Sequence, residues 1–148
     1  MLKKNLSFEV LHAAEYLNDL IKKGFLKLDK PVPLKVTYHD PCHLGKHCGV
    51  YLEPRNIIQK IPQIDFVELP LNKQNALCCG GGGGVRSAFE ELALNMGKTV
   101  IREALDIGVK ALISTCPFCK LNLLRASEEF KTKVMVFDLV EILQRSVL

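Results

Sequence analysis

Apolar and polar positions along the chain switch repeatedly between two rhythms. Between residues 8 and 23, Val10, Leu11, Ala14, Leu17, Leu20 and Ile21 recur at helical spacing, with Ser7 placed to cap the start and Gly24 the end. Asp29-Lys30-Pro31-Val32-Pro33 reads as a stiff connector. Residues 34–38 then form a short apolar and β-branched run, expected to be a strand that ends in His39-Asp40-Pro41-Cys42-His43. A short helix is expected over 54–61, with Pro54 at its first position and Pro62 as its stop. A second strand is expected over 65–69. Ser87 and Glu90 have capping-box spacing and are expected to open a long helix through Leu92, Met96, Val100 and Leu105, closed at Gly108. A third strand over 111–114 leads through Cys116-Pro117-Phe118-Cys119 into another helix. A fourth strand over 134–137 precedes Asp138 and Glu141, spaced to open the final helix.

Strands alternating with helices predict an α/β fold. The sheet is expected to be mainly parallel, with helices on both faces and ligands at the carboxyl ends of the strands. The pattern does not give the strand order. With 148 residues, 1–148 is expected to be one domain, large enough to bury a core without a metal to staple it. A metal in such a chain serves chemistry.

Charge narrows the functions. The formal net charge is +4, the basic residues are scattered, and there is no tryptophan, so no nucleic-acid partner is expected. No stretch is apolar enough to span a bilayer, so no direct membrane insertion is expected. Met1 to Leu6 carries two lysines with no apolar run behind them, unlike a secretory signal. Six cysteines without an export signal point to a reducing compartment, the cytoplasm. There, grouped cysteines read as metal ligands or redox thiols.

Cys42 follows the first strand, Cys78 and Cys79 lie in the loop after the second, and Cys116 follows the third. A parallel sheet brings those positions to one edge. Five thiolates exceed the four ligands of tetrahedral zinc and suit an iron–sulfur cluster. The side chains of the adjacent pair Cys78-Cys79 diverge in a regular strand, so they converge only in an irregular loop or around an object larger than one ion. Buried, inert thiols are the bland alternative. Gly80, Gly81, Gly82 and Gly83, in the run that ends at Gly84, offer backbone N–H groups as an anion nest around a cofactor; a flexible linker is the alternative. No Gly-Lys-Ser/Thr follows, so the run is not a phosphate loop.

Cys116 falls at a helix N-cap with Pro117 at the first helical position, where the helix terminus favours a thiolate. That placement suits a metal ligand or a metal-free Cys-x-x-Cys dithiol. Cys48 stands apart from the pattern. His39, His43 and His47 could shuttle protons, hydrogen-bond a cluster sulfur or satisfy loop backbone. Lys46, Arg55 and Arg86 read as solvated surface charge or as attraction for an anionic substrate.

The pattern Cys42, Cys78-Cys79-Gly80, Cys116-x-x-Cys119 closely resembles the CCG, or cysteine-rich, domain. It carries the flanking text His39-Asp40-Pro41-Cys42-His43-Leu44-Gly45 and Cys116-Pro117-Phe118-Cys119. That domain occurs in the B and D polypeptides of heterodisulfide reductases. It also occurs in the iron–sulfur components of glycolate, lactate and anaerobic glycerol-3-phosphate oxidation systems.

The resemblance implies a cluster held by Cys42, Cys78, Cys79, Cys116 and Cys119. The cluster would be [4Fe–4S], of the non-cubane form in the B polypeptide of heterodisulfide reductase, with zinc instead in some relatives. It implies electron transfer to or from a thiol/disulfide substrate or a partner subunit. The expected partners are a second cysteine-rich domain, a ferredoxin-type or flavin subunit, or a second copy of the chain, some of them in membrane-attached complexes. Relatives usually carry two such motifs. This chain has one and resembles their C-terminal half or a stand-alone subunit. A zinc-holding docking domain and a metal-free dithiol oxidoreductase are the rival functions.

Overall fold

The computed structural model describes residues 8–147. Four strands, β1 (Lys35–Tyr38), β2 (Asp65–Phe66), β3 (Ala111–Ser114) and β4 (Met135–Asp138), form one sheet in the order β2-β1-β3-β4. Every pairing is parallel, with Tyr38 opposite Ile113 and Ile113 opposite Phe137. The helices are α1 (Ala13–Lys22), α2 (Leu52–Lys60), α3 (Val85–Ala88), α4 (Glu90–Asp106), α5 (Pro117–Glu129) and α6 (Leu139–Val147).

Alternation along the strands divides the core into two layers. Val36, Tyr38, Ala111 and Ile113 pack with Ile57, Ile58, Leu139 and Ile142, against α1, α2 and α6. Leu112 and Val136 face the other way and pack with Val100, Ile101, Leu123 and Ala126 of α4 and α5. The sheet is therefore covered on both faces, as the alternation predicted. No helix among the described residues is long and apolar enough to cross a membrane.

Four boundaries differ most from expectation. Helix α1 starts at Ala13. His12 is its N-cap, its Nδ1 accepting from Ala14 N at 3.1 Å while Glu15 Oε2 accepts from His12 N at 2.8 Å. Val10 and Leu11 lie ahead of this cap and are exposed; Ser7 lies outside the described residues. The other end is as expected, since Gly24 takes a left-handed conformation and Gly24 N and Phe25 N close on Ile21 O and Leu20 O. Helix α2 begins at Leu52, and Pro54 sits in its first turn, where a missing N–H costs no intrahelical bond. Strand β2 is only two residues long, although Val67 N still reaches Val36 O at 2.9 Å. Ser87 and Glu90 form no capping box. Gly84, at φ 79°, turns the chain into α3 early, so Ser87 lies inside that helix and α4 restarts after Phe89.

Candidate metal centre

The order β2-β1-β3-β4 reverses direction between β1 and β3, and the crevice at the carboxyl ends of two such strands is where open α/β sheets bind ligands. His39 N continues the ladder to Ile113 O at 2.8 Å, and Ser114 Oγ donates to His39 O at 3.2 Å. These bonds hold the two strand ends together while the chains beyond them diverge. Cys42 leaves on one side and Cys116 on the other.

Beyond β3, Cys116 has extended backbone and is the N-cap of α5, with Pro117 at the first helical position. The helix carries Cys119 inward, where it is 4% exposed. Cys79, also 4% exposed, meets it with the two sulfurs 3.1 Å apart. His39 is 2% exposed and completes this buried group. A ring nitrogen of His39 and the Cys79 and Cys119 sulfurs all lie within 4.8 Å of one another. Cys116 is half-buried and sits at the N-cap of the same helix, three residues before Cys119.

Cys42 is also half-buried, 3.6 Å from His43 Nδ1, and its thiol feels the charges of Cys78, Cys79 and Cys116. Cys78 is exposed at the rim. The five sequence-predicted cysteines thus collect at one end of the sheet, with Cys79 and Cys119 innermost.

The glycine run divides into two parts. Gly80 N points at Cys78 Sγ at 3.4 Å and Gly81 N at Cys79 Sγ at 3.3 Å, so two N–H groups already face sulfur. Gly80 takes φ 79° with its α-carbon against the Ala93 backbone, a position closed to any side chain. Gly82 and Gly83 are exposed and form the turn into α3, Gly82 O accepting from Val85 N. Asn122, buried in α5, fastens the loop from beneath, with its Nδ2 donating to Cys79 O at 2.6 Å and to Ala93 O at 2.8 Å.

The thiols titrate as a group. Hydrogen bonding from Cys119 lowers Cys116 to about 6, helped by the backbone N–H groups of Cys119 and Phe118. The same donor holds Cys79 well below an ordinary thiol. Cys119, sharing its proton with Cys116 and Cys79 and shut away from water, is pushed far up. Burial raises Cys42.

The sequence did not reveal the path of the chain after Cys42. His43–His47 form one wide π-helical turn, closed by Cys48 N to His43 O at 3.1 Å. Such turns mark functional sites more often than ordinary ones. The turn exposes His43, His47 and Cys48 along a cleft of about 830 Å³ that Cys116 and Pro117 also line. Lys46, read as free charge, instead donates to Ala76 O at 3.1 Å. Arg55, read the same way, is 4% exposed and fully engaged with two carboxylates.

Comparison with known proteins finds similar sequences in iron–sulfur and heterodisulfide-reductase polypeptides. The D polypeptide of the dihydromethanophenazine:CoB–CoM heterodisulfide reductase of Methanosarcina acetivorans is 44% identical over 140 residues, which is 95% of this chain and 34% of that one. The B polypeptide of the fumarate reductase (CoM/CoB) of Methanothermobacter marburgensis is 43% identical over 135 residues, 90% of this chain and 26% of that one. The probable iron-sulfur-binding oxidoreductase FadF of Bacillus subtilis is 35% identical over 143 residues, 95% of this chain and 20% of that one. The chain spans about a third or less of the length of these relatives. The model of the CCG cysteine-rich domain matches residues 36–124, a stretch running from β1 through Cys119 into α5, and the chain belongs to that family.

Proposed function

We propose that this domain is the iron–sulfur redox module of a heterodisulfide-reductase-like oxidoreductase. Cys42, Cys78, Cys79, Cys116 and Cys119 would hold its cluster. The observation that carries the reading is the buried sulfur pair, Cys79 and Cys119 at 3.1 Å, set at the switch point of the sheet with Cys116 at the N-cap of the helix that carries Cys119. The donor set fits the group. It is rich in soft sulfur, which iron–sulfur clusters take as thiolate. Gly80 and Gly81 offer N–H groups aimed at sulfur, the contacts that adjust a cluster's potential. When bound, the cluster supplies one-electron chemistry that protein side chains lack.

The chain's own residues supply the rest. Gly82 and Gly83 extend the backbone donors at the rim. His39 closes the buried side, and the cleft beside Cys116 is where a thiol or disulfide, or a partner's redox group, would approach. The names of the relatives support an iron–sulfur cofactor and redox partners; the cluster would be [4Fe–4S] and the complex cytoplasmic. The partner would be a second cysteine-rich domain, a ferredoxin-type or flavin subunit, or a second copy of the chain. Membrane attachment would come through such a partner.

A second reading rests on a separate observation. His39, Cys79 and Cys119 form a mixed nitrogen–sulfur trio of the kind zinc takes. Anaerobic purification followed by iron, acid-labile sulfide and zinc analysis separates the two. Iron and sulfide with visible absorbance support the cluster. Stoichiometric zinc in a colourless protein, unchanged by reconstitution with iron and sulfide, replaces it with the second reading.

A further inference from the structure

Arg55 lies on α2, outside the cysteine pattern, and all five of its guanidinium N–H groups are used. Nη1 and Nη2 donate side by side to Asp40 Oδ1 and Oδ2, both at 2.8 Å. Nε and Nη2 donate to Glu68 Oε1 and Oε2 at 2.6 and 2.9 Å. The remaining Nη1 bond goes to Tyr51 O at 2.8 Å. The guanidinium also lies over the Tyr38 ring, 5.1 Å from its centroid. Burial alone would lower the guanidinium's affinity for its proton, but the two carboxylates reverse that and raise it.

The partners come from each chain segment that leaves this corner of the sheet. Asp40 follows β1 and is joined to Cys42 through Pro41, whose fixed φ leaves little slack between them. Glu68 follows β2. Asp40 Oδ2 also accepts from Lys73 N at 2.8 Å. Lys73 stands at φ 53° in the turn that leads to Cys78. One carboxylate therefore touches both the segment carrying Cys42 and the segment carrying Cys78 and Cys79, and one guanidinium fixes that carboxylate in both position and plane.

A buried ion network is a poor way to gain stability alone, because apolar side chains of similar volume do as well. Its advantage is direction, since a planar fork holds a carboxylate in a single orientation. We infer that Arg55 is a positioning residue for the metal centre, acting through Asp40 and Glu68 to hold the Cys42 loop in register with the Cys78-Cys79 loop.

This inference rests on the proposed metal centre, and the test separates the two. Arg55→Lys keeps the charge and loses the fork. After reconstitution with iron and sulfide, R55K should bind metal about 10-fold or more weakly, as is typical when a residue behind a ligand is changed. The spectrum and midpoint potential of its loaded fraction should also shift. In the double variant with Cys42→Ser, the two losses should be less than additive, because both act through one sulfur. A purely structural role would lower the urea midpoint of the metal-free chain, leave the spectrum of loaded molecules unchanged and add fully to Cys42→Ser; that result overturns the inference. If R55K does not fold, Glu68→Gln, at a partly exposed carboxylate, is read by the same criteria.

Should the wild type take up no iron, the proposed cluster fails by itself. Cobalt(II) added to the metal-free chain then decides the positioning claim through its thiolate charge-transfer band. A band weakened by R55K, with no further change from Cys42→Ser, supports it, and equal bands in wild type and R55K overturn it.

Discussion

Gly81→Ala tests how tightly the paired-cysteine loop is fitted to α5. A Cβ at position 81 would collide with the carbonyl oxygen of Phe118. It would also lie 3.0 Å from the Phe118 carbonyl carbon and 3.2 Å from Asn122 Cβ. Carbon atoms rest comfortably at about 3.5–4.0 Å, so the loop and the first turn of α5 must separate by roughly half an ångström or more. Neither side yields easily, since the obstructing atoms are backbone and Asn122 is tied down by two hydrogen bonds. Overpacking of this kind costs about 1–3 kcal/mol, out of a total stability on the order of 5–15 kcal/mol. The displacement also falls on the sulfurs, because Gly81 N is bonded to Cys79 and Phe118 is the residue before Cys119. Urea unfolding of the metal-free protein at constant m-value measures the first effect, and iron per chain after reconstitution the second. Gly82→Ala is the control, since nothing lies within 4 Å of a Cβ there and its φ is not left-handed. Equal urea midpoints and equal iron contents for the two variants would refute the reasoning.

Asn122→Ala should cost about 1–3 kcal/mol by urea unfolding, because it strips the side-chain donor from the buried Cys79 carbonyl. Cys48→Ser should leave iron content unchanged and stability within about 0.5 kcal/mol, since Cys48 is exposed and outside the sulfur group. In the metal-free protein, Cys116, lowered to about 6, should be alkylated by iodoacetamide at pH 7 well ahead of Cys48. Its rate should fall as pH drops through 6 and the thiolate is protonated. Peptide mapping by mass spectrometry reads this, and a Cys116 rate still rising steeply above pH 8 would contradict it.

The alternation of strands and helices, and the cysteines after three of the strands, were legible because both follow from local pattern and a single topological rule. The N-cap role of Cys116 was legible too, because Pro117 has few other places to go in a helix. Other features depend on residues far apart in sequence. Arg55 looks like surface charge until Asp40 and Glu68, each more than ten residues away, are folded around it. The π-helical turn has no periodic signal; its Gly45 lies so close to Tyr51 that a Cβ would come within 2.6 Å of the ring. Leu92 and Leu105 mark the course of α4 in the sequence, yet both are exposed, and Ala93, Gly97, Val100, Ile101 and Ala104 are buried. Small residues win there because α4 packs closely on α5, where a Cβ on Gly97 would reach within 3.0 Å of Ala126 Cβ.

The innermost thiols show why such a centre needs a positive partner. Two thiolates 3.1 Å apart in a buried site would repel strongly. The metal-free chain avoids this by keeping a proton on Cys119 and sharing it with Cys79 and Cys116, which is why the first is pushed up and the other two are held down. A metal bound here would replace that proton, because thiol ligands must be deprotonated to coordinate. Loading should therefore release protons, measurable with an indicator dye in weak buffer. Affinity should weaken as pH falls and protons compete for the same sulfurs. Loaded protein should also unfold at higher temperature than metal-free protein, by the linkage between binding and folding. Cys119→Ser separates this account from nonspecific thiol binding. Serine packs in the same space without a sulfur to surrender a proton, so both the proton release and the thermal gain should shrink together. Full proton release from C119S would show that the proton comes from elsewhere.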